Sequence, residues 1–292
     1  MERCNLCPRR CNIQRDEIHH GFCGLPEEMV IARIAPHLWE EPPISGQQGT
    51  GAIFFSGCTL RCVYCQNGDI SHRNEGRRFT PVQLAEAMRR LVDAEMETIS
   101  FITATPHLEG ILQALALYRP PVPLVWNTSG YEAVDTLKRL EGTIDVYLPD
   151  LKHYSPAACR LCTGQSQYFP VAEKAIQEMI RQTGPAQYSD SGIMTRGTII
   201  RHLIIPGLSQ ESVSLLDWIH QHVPKGVPVS LMHQYIPMNG VTIPGLSRRL
   251  KKWEYQRVRS HMESLEMEGF YQGKAAADEA FVPLFNAPES FI

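Results

Sequence analysis

Six apolar runs, each followed by a helical pattern, constrain this 292-residue chain more than anything else in it. They lie at about 52–56, 98–103, 124–127, 144–148, 198–205 and 229–235. Each is almost continuously hydrophobic, as a parallel strand buried on both faces must be. Strands that alternate with helices pair in parallel through right-handed crossovers. The first helix announces itself in Thr80-Pro81-Val82-Gln83: Thr as N-cap, Pro at the first helical position, Gln to complete a capping box. Further helices are expected at about 108–118, 131–140, 171–182, 210–222 and 247–268. Six such units fit an open doubly wound sheet or an incomplete barrel, and periodicity does not choose between them.

Directly after the first strand comes Gly57-Cys58-Thr59-Leu60-Arg61-Cys62-Val63-Tyr64-Cys65-Gln66-Asn67, a C-x3-C-x2-C spacing. A cubane iron–sulfur cluster normally takes four thiolates. Three closely spaced ones cap three irons and leave the fourth open, and an open metal position is where chemistry occurs. A zinc knuckle completed from elsewhere, or three small buried hydrophobes, are the alternatives. The Phe-rich strand before the motif and the aromatic Tyr64 inside it argue for the cluster.

Ligands of barrels and open α/β sheets bind at the carboxyl ends of the strands. Here those ends carry Thr103-Ala104-Thr105-Pro106-His107, Asn127-Thr128-Ser129-Gly130-Tyr131, Leu148-Pro149-Asp150-Leu151-Lys152, Arg201-His202 and His233-Gln234-Tyr235. Alternation along a strand puts Asp150 and Lys152 on one face, and Asn127 and Ser129 on one face. Caps and turns that satisfy the backbone are the competing reading for each of these residues.

The cysteine spacing resembles the signature of radical S-adenosylmethionine (SAM) enzymes. That resemblance implies an α/β fold, a partial (β/α)6 TIM-like barrel with the cluster loop after its first strand, here over residues 46–270. The segments at 62–67, 127–131, 150–152 and 201–207 resemble those of glycyl-radical-enzyme activases. The Leu148-Pro149-Asp150-Leu151-Lys152 run and the cysteine-rich start resemble the pyruvate formate-lyase-activating-enzyme-like (PflX-like) branch. By this resemblance Cys58, Cys62 and Cys65 hold a [4Fe-4S] cluster whose fourth iron is chelated by the SAM amino and carboxylate groups. Tyr64 would lie beside the adenine, with Asn127, Ser129, Asp150 and Lys152 around the ribose and methionine. His202 and Gln234 complete the candidate set. Many members follow strand two with a Gly-Gly-Glu-Pro-like turn that meets the SAM amino group. This chain has Thr103-Ala104-Thr105-Pro106, so Thr103 and Thr105 stand in that slot without a carboxylate. The implied substrate is unidentified, a glycyl-radical-type protein among the possibilities, and the implied electron donor is a flavodoxin or ferredoxin. Modification of a small molecule or another peptide residue, or iron–sulfur electron carriage without turnover, are the other readings.

Residues 1–45 form a cysteine-rich head, with Cys4, Cys7, Cys11 and Cys23 spaced C-x2-C-x3-C-x11-C. So short a segment cannot bury a stable core, and metals commonly supply what is missing. Four thiolates would close a structural site, and zinc or a second iron–sulfur cluster would fit; His19 or His20 could replace one thiolate. Cys159 and Cys162 make another C-x-x-C, either a redox pair or incidental cysteines. The tail, 271–292, is expected to be non-helical, its Phe281, Phe285 and Phe291 covering part of the core.

Net charge is −3 and the basic pairs are scattered, which argues against nucleic acid or a membrane surface. No apolar run approaches a membrane span, and the first residues lack the apolar core of a secretion signal. Nine cysteines in clustered patterns then read as metal ligands in a reducing, cytoplasmic compartment.

Overall fold

In the computed structural model, which describes residues 3–238, 240–273, 283–285 and 290–291, the chain is an open α/β barrel built on a mostly parallel sheet. The strands are β1 (Met29–His37), β2 (Thr50–Phe55), β3 (Arg77–Phe79), β4 (Thr98–Ile102), β5 (Leu124–Thr128), β6 (Val146–Pro149), β7 (Gln187–Tyr188), β8 (Met194–Thr198), β9 (Ile200–Leu203), β10 (Val229–Met232) and β11 (Gly269–Tyr271). The helices are α1 (Pro42–Ser45), α2 (Gly68–Ser71), α3 (Pro81–Asp93), α4 (Leu108–Leu117), α5 (Val134–Lys138), α6 (Pro156–Thr163), α7 (Tyr168–Thr183), α8 (Ser209–His222) and α9 (Lys252–Ser264). One sheet runs β3-β1-β2-β4-β5-β6-β8-β7 and a second β11-β10-β9. The Asp150–Arg201 bridge and the Leu151 N–H to Arg201 carbonyl bond, 2.8 Å, join them across β6 and β9. The six expected strands are present and pair in parallel, with the fifth broken between β8 and β9. Antiparallel β1 flanks one side of the arc, and parallel β11 the other.

Alternation along the strands builds two cores. Ile53, Phe55, Ile99, Phe101, Leu124, Trp126 and Tyr147 point outward and pack with Leu84, Met88, Leu91 and Ile111 of α3 and α4. Ile200, Val229 and Leu231 pack outward with residues of α7, α8 and α9. The inward positions stack in layers, as barrel interiors do. The lower layer is dry: Val125, Val146, Leu148, Met194 and Ile199 close around Ile44, carried in by α1. Above it the inward residues turn polar, at Asn127, Asp150 and Arg201, and the barrel holds a cavity of about 640 Å³. The change of layer from apolar to polar therefore positions the site.

The capping box is present as the sequence predicts: Thr80 Oγ1 accepts from Gln83 N–H at 3.2 Å, and Gln83 Oε1 accepts from Thr80 N–H at 2.8 Å. Residues 29–37, placed by sequence in the head, are β1 of the main sheet, in register with β2 from Ile31–Phe55 to His37–Thr50. Helix α5 is shorter than the expected 131–140, and α9 shorter than 247–268. Within the tail, Phe285 packs on Phe54 with ring centroids 5.5 Å apart, and Phe291 stacks on Phe79 at 5.9 Å. Phe281 lies outside the described residues. Among the described residues no helix is long and apolar enough to cross a membrane.

A three-cysteine loop over a charged cavity: the candidate active site

Chain geometry places the cysteine loop at the barrel mouth. Gly57 ends the approach from β2 with φ 76°, a backbone region that favours glycine, and a Cβ there would collide with Leu25. The loop turns at once, and Cys58, Cys62 and Cys65 all line the cavity, none of the three in a disulfide. The backbone N–H groups of Leu60 and Arg61 reach Cys58 Sγ at 3.3 and 3.5 Å. Burial raises the pKa of all three thiols; Lys152, the loop's N–H groups and, for Cys65, Ser71 pull the other way. Such buried thiols ionise when a cation takes the proton's place, as metal binding requires. Among the described residues no three Cys, His, Asp or Glu side chains converge on a point suited to a single metal ion. A cubane asks for less convergence, because each thiolate binds its own iron. Three thiols on one cavity rim, with N–H donors and a lysine facing them, fit a [4Fe-4S] cluster.

The strand ends supply the rest of the rim. Tyr64, Thr103, Asn127, Ser129, Asp150, Lys152 and Gln234 line the same cavity as the cysteines. Gly130, at φ 76°, lets the loop after β5 approach the Asp150 carbonyl where a Cβ would not fit. Asp150 and Lys152 do share a face, 2.5 Å apart. Asp150 also accepts from Arg201 Nε at 2.9 Å. Burial pushes the Asp150 carboxyl up, but Arg201 and Lys152 more than offset it, so the group lies below the usual carboxylate range. Tyr64 presents its ring to the cavity and donates or accepts at 2.9 Å with His153 Nε2 behind it.

Thr105 and His202 are not cavity residues. Thr105 Oγ1 turns to Glu132 Oε1 at 2.5 Å, holding a buried carboxyl whose pKa burial raises to about 7. His202 Nδ1 bonds the Leu151 carbonyl at 2.7 Å on the outer face of β9. Arg201, its neighbour, takes the inward position instead, because adjacent strand residues face opposite ways. Glu40 and Glu41, in the loop after β1, were missed altogether. Glu40 accepts from Arg201 Nη1 at 2.7 Å and from Asn127 Nδ2 at 2.8 Å, and Glu41 sits 3.7 Å from the same guanidinium. The only signal for them was a pair of acids before Pro42-Pro43, which reads as a linker.

The head's cysteines lie over this loop. Arg9 Nε donates to the Thr59 carbonyl at 2.9 Å, and Arg61 Nη2 to the Cys23 carbonyl at 3.0 Å. Cys7 is close enough to Cys11 and Cys23, and Cys23 to Cys4, for their charges to interact. Burial, the largest influence, pushes Cys7 up to about 12. Cys159 and Cys162 share the inner face of α6, fully buried, and burial drives them to about 11 and 12. That is the behaviour of packing cysteines rather than reactive ones.

A profile described as the Radical SAM superfamily matches residues 52–219, more than half of the chain. Uncharacterized protein MJ0674 of Methanocaldococcus jannaschii is 28% identical over 282 residues, 93% of this chain and 77% of its own. Uncharacterized protein MJ0808 of the same organism is 25% identical over 236 residues, 75% of this chain and 65% of its own. Among solved structures, a radical SAM methyltransferase from Sphaerobacter thermophilus superposes with a TM-score of 0.53 at 15% identity, covering 76% of this chain and 66% of that one. The chain thus spans about two thirds of the length of the latter two proteins, and the last likeness is one of fold.

Proposed function

Because the chain belongs to the radical SAM superfamily, we propose that it reductively cleaves SAM at a [4Fe-4S] cluster and abstracts hydrogen from a substrate. The observation that carries this is the meeting of Cys58, Cys62 and Cys65 with Asn127, Ser129, Asp150 and Lys152 on one cavity. Cys58, Cys62 and Cys65 would hold the cluster, which would supply one electron to the sulfonium of SAM. The chain's own residues do the remainder. Lys152 meets the SAM carboxylate side, with Asp150 fixing its position; Asn127 and Ser129 offer hydrogen bonds to the ribose; Tyr64 offers a ring face to the adenine. Thr103 and Gln234 line the wall beside them. The dry layer around Ile44 excludes water from below, which protects a reactive radical.

The finer assignment is to the activase-like, PflX-like branch, acting on a protein partner through the open side of the barrel, with a flavodoxin or ferredoxin as reductant in the cytoplasm. The motif segments at 148–152 and 201–207 and the cysteine-rich start support it. The head is proposed to hold zinc or a second iron–sulfur cluster on Cys4, Cys7, Cys11 and Cys23. Four thiolates on a dication carry two negative charges, and Arg15 beside Cys23, with Arg9 and Arg61 at the same junction, offsets them. Anaerobic reconstitution followed by dithionite and SAM tests the core of the proposal. Formation of 5′-deoxyadenosine is expected; its absence with an intact cluster would leave an electron carrier.

A further inference from the structure

The charges lining the cavity do not balance. Among the described residues they are the carboxyls of Glu40, Glu41 and Asp150 against the cations of Lys152 and Arg201, three against two. His37, also in the wall, is kept neutral near neutral pH: burial, then Arg33 and Arg201, lower it to about 4 despite Glu41 beside it. Both cations are engaged elsewhere, Lys152 with Asp150 at 2.5 Å and Arg201 with Asp150 at 2.9 Å and Glu40 at 2.7 Å. Glu41 is left over. Its side chain is 3% exposed, and its Oε2 makes no hydrogen bond, the Arg201 guanidinium standing 3.7 Å away.

We propose that Glu41, supported by Glu40, is the recognition site for a substrate that brings an alkylammonium group into the cavity. The inference rests on the radical SAM reading and narrows its substrate. A buried carboxyl that shares one distant cation with two closer carboxyls keeps its proton. Burial first, and then the Glu40 charge, act on Glu41 against the pull of Arg201, and it is pushed up to about 8. An incoming ammonium replaces that proton with a fixed charge and restores the balance. A compact ammonium suits a single carboxylate oxygen better than a guanidinium fork does. Trp39, Phe54 and Tyr271 line the same cavity, and aromatic side chains suit a cation and its aliphatic stem. Selectivity comes from the neutral alternative: an alcohol in the same place leaves Glu41 protonated and gains no charge pair.

SAM itself carries a sulfonium and an α-amino group, so the test must separate the added amine from SAM. Isothermal titration calorimetry of the oxidised, cluster-loaded protein, in two buffers of different ionisation enthalpy at pH 7, counts protons released. The SAM complex is titrated with n-butylammonium and, separately, with 1-butanol. The amine is expected to bind at least tenfold more tightly than the alcohol and to release a proton, the one that burial keeps on Glu41. Glu41→Gln should bind the amine at least tenfold more weakly and release none. Proton release on SAM binding alone, equal affinity for alcohol and amine, or no release with the amine would overturn the proposal. Deoxyadenosine formation by the wild-type protein reports on the radical SAM assignment separately.

Discussion

At the residue scale, the site is a chain of charges from the strand ends to the cavity interior. Lys152–Asp150–Arg201–Glu40–Asn127 is continuous, each link a hydrogen bond. Asp150 holds both cations, so Asp150→Asn should weaken SAM binding or cleavage by about ten- to a hundredfold, the loss of about 1.5–3 kcal/mol for a charged hydrogen bond. The cluster's visible absorption should stay intact, and unchanged affinity and turnover would reduce the pair to a structural closure. Glu41 makes a second prediction. Its folded pKa lies above its unfolded one, so between about pH 4.5 and 8 the folded state retains a proton that the unfolded chain has lost. Stability from this group is full below the unfolded value and declines as pH rises toward 8. Glu132, also raised by burial, to about 7, slopes the same way. Above about pH 6.5 the buried neutral histidines His37, His107, His153 and His202 no longer slope stability the other way, so denaturant titrations from there to pH 8 should show a smaller loss of stability with rising pH for Glu41→Gln than for wild type; identical slopes would mean Glu41 is charged throughout. Asp150 and Lys152 were legible because alternation alone places them together. Arg201 was passed over for His202 because two adjacent polar residues share one strand, and only register against β6 tells which faces in.

At the element scale, the strands that read clearly are the buried β2, β4, β5, β6, β9 and β10. β1 is as buried as they are but opens from a cysteine-rich segment and closes on Glu40-Glu41-Pro42-Pro43, so it looked like part of a separate unit. β3 and β11, three residues each, are too short for periodicity to register. Helix α6 was hidden by its cysteines, although Ser155 caps it and Pro156 starts it. The coupling of the head to the cysteine loop runs through Gly57 and Leu25. Gly57→Ala should cost at least about 1–2 kcal/mol from the left-handed backbone alone, more from the collision with Leu25, measurable by chemical denaturation. A smaller loss would mean that the loop relaxes. The head's metal is tested in a protein lacking Cys58, Cys62 and Cys65. Elemental analysis of that anaerobically prepared, folded protein should still find zinc or iron, and finding neither would leave the four head cysteines without a ligand.

At the scale of the whole molecule, one feature organises the rest: the barrel interior is dry below and charged above, and the loop with three thiols closes the charged end. The alternating α/β order and the cysteine spacing were readable because each depends on neighbours in sequence. The cavity's charge balance was not, because Glu40, Asn127, Asp150 and Arg201 come from four separate segments and meet only through closure of the sheet. Everything at the site turns on three thiols holding a cluster that cleaves SAM. The most direct measurement is 5′-deoxyadenosine formed with dithionite and SAM by anaerobically reconstituted wild-type protein and by the Cys58→Ala/Cys62→Ala/Cys65→Ala variant. Wild type is expected to form the product and the variant, still folded, to form none. Product formed by the variant at the wild-type rate would contradict the assignment.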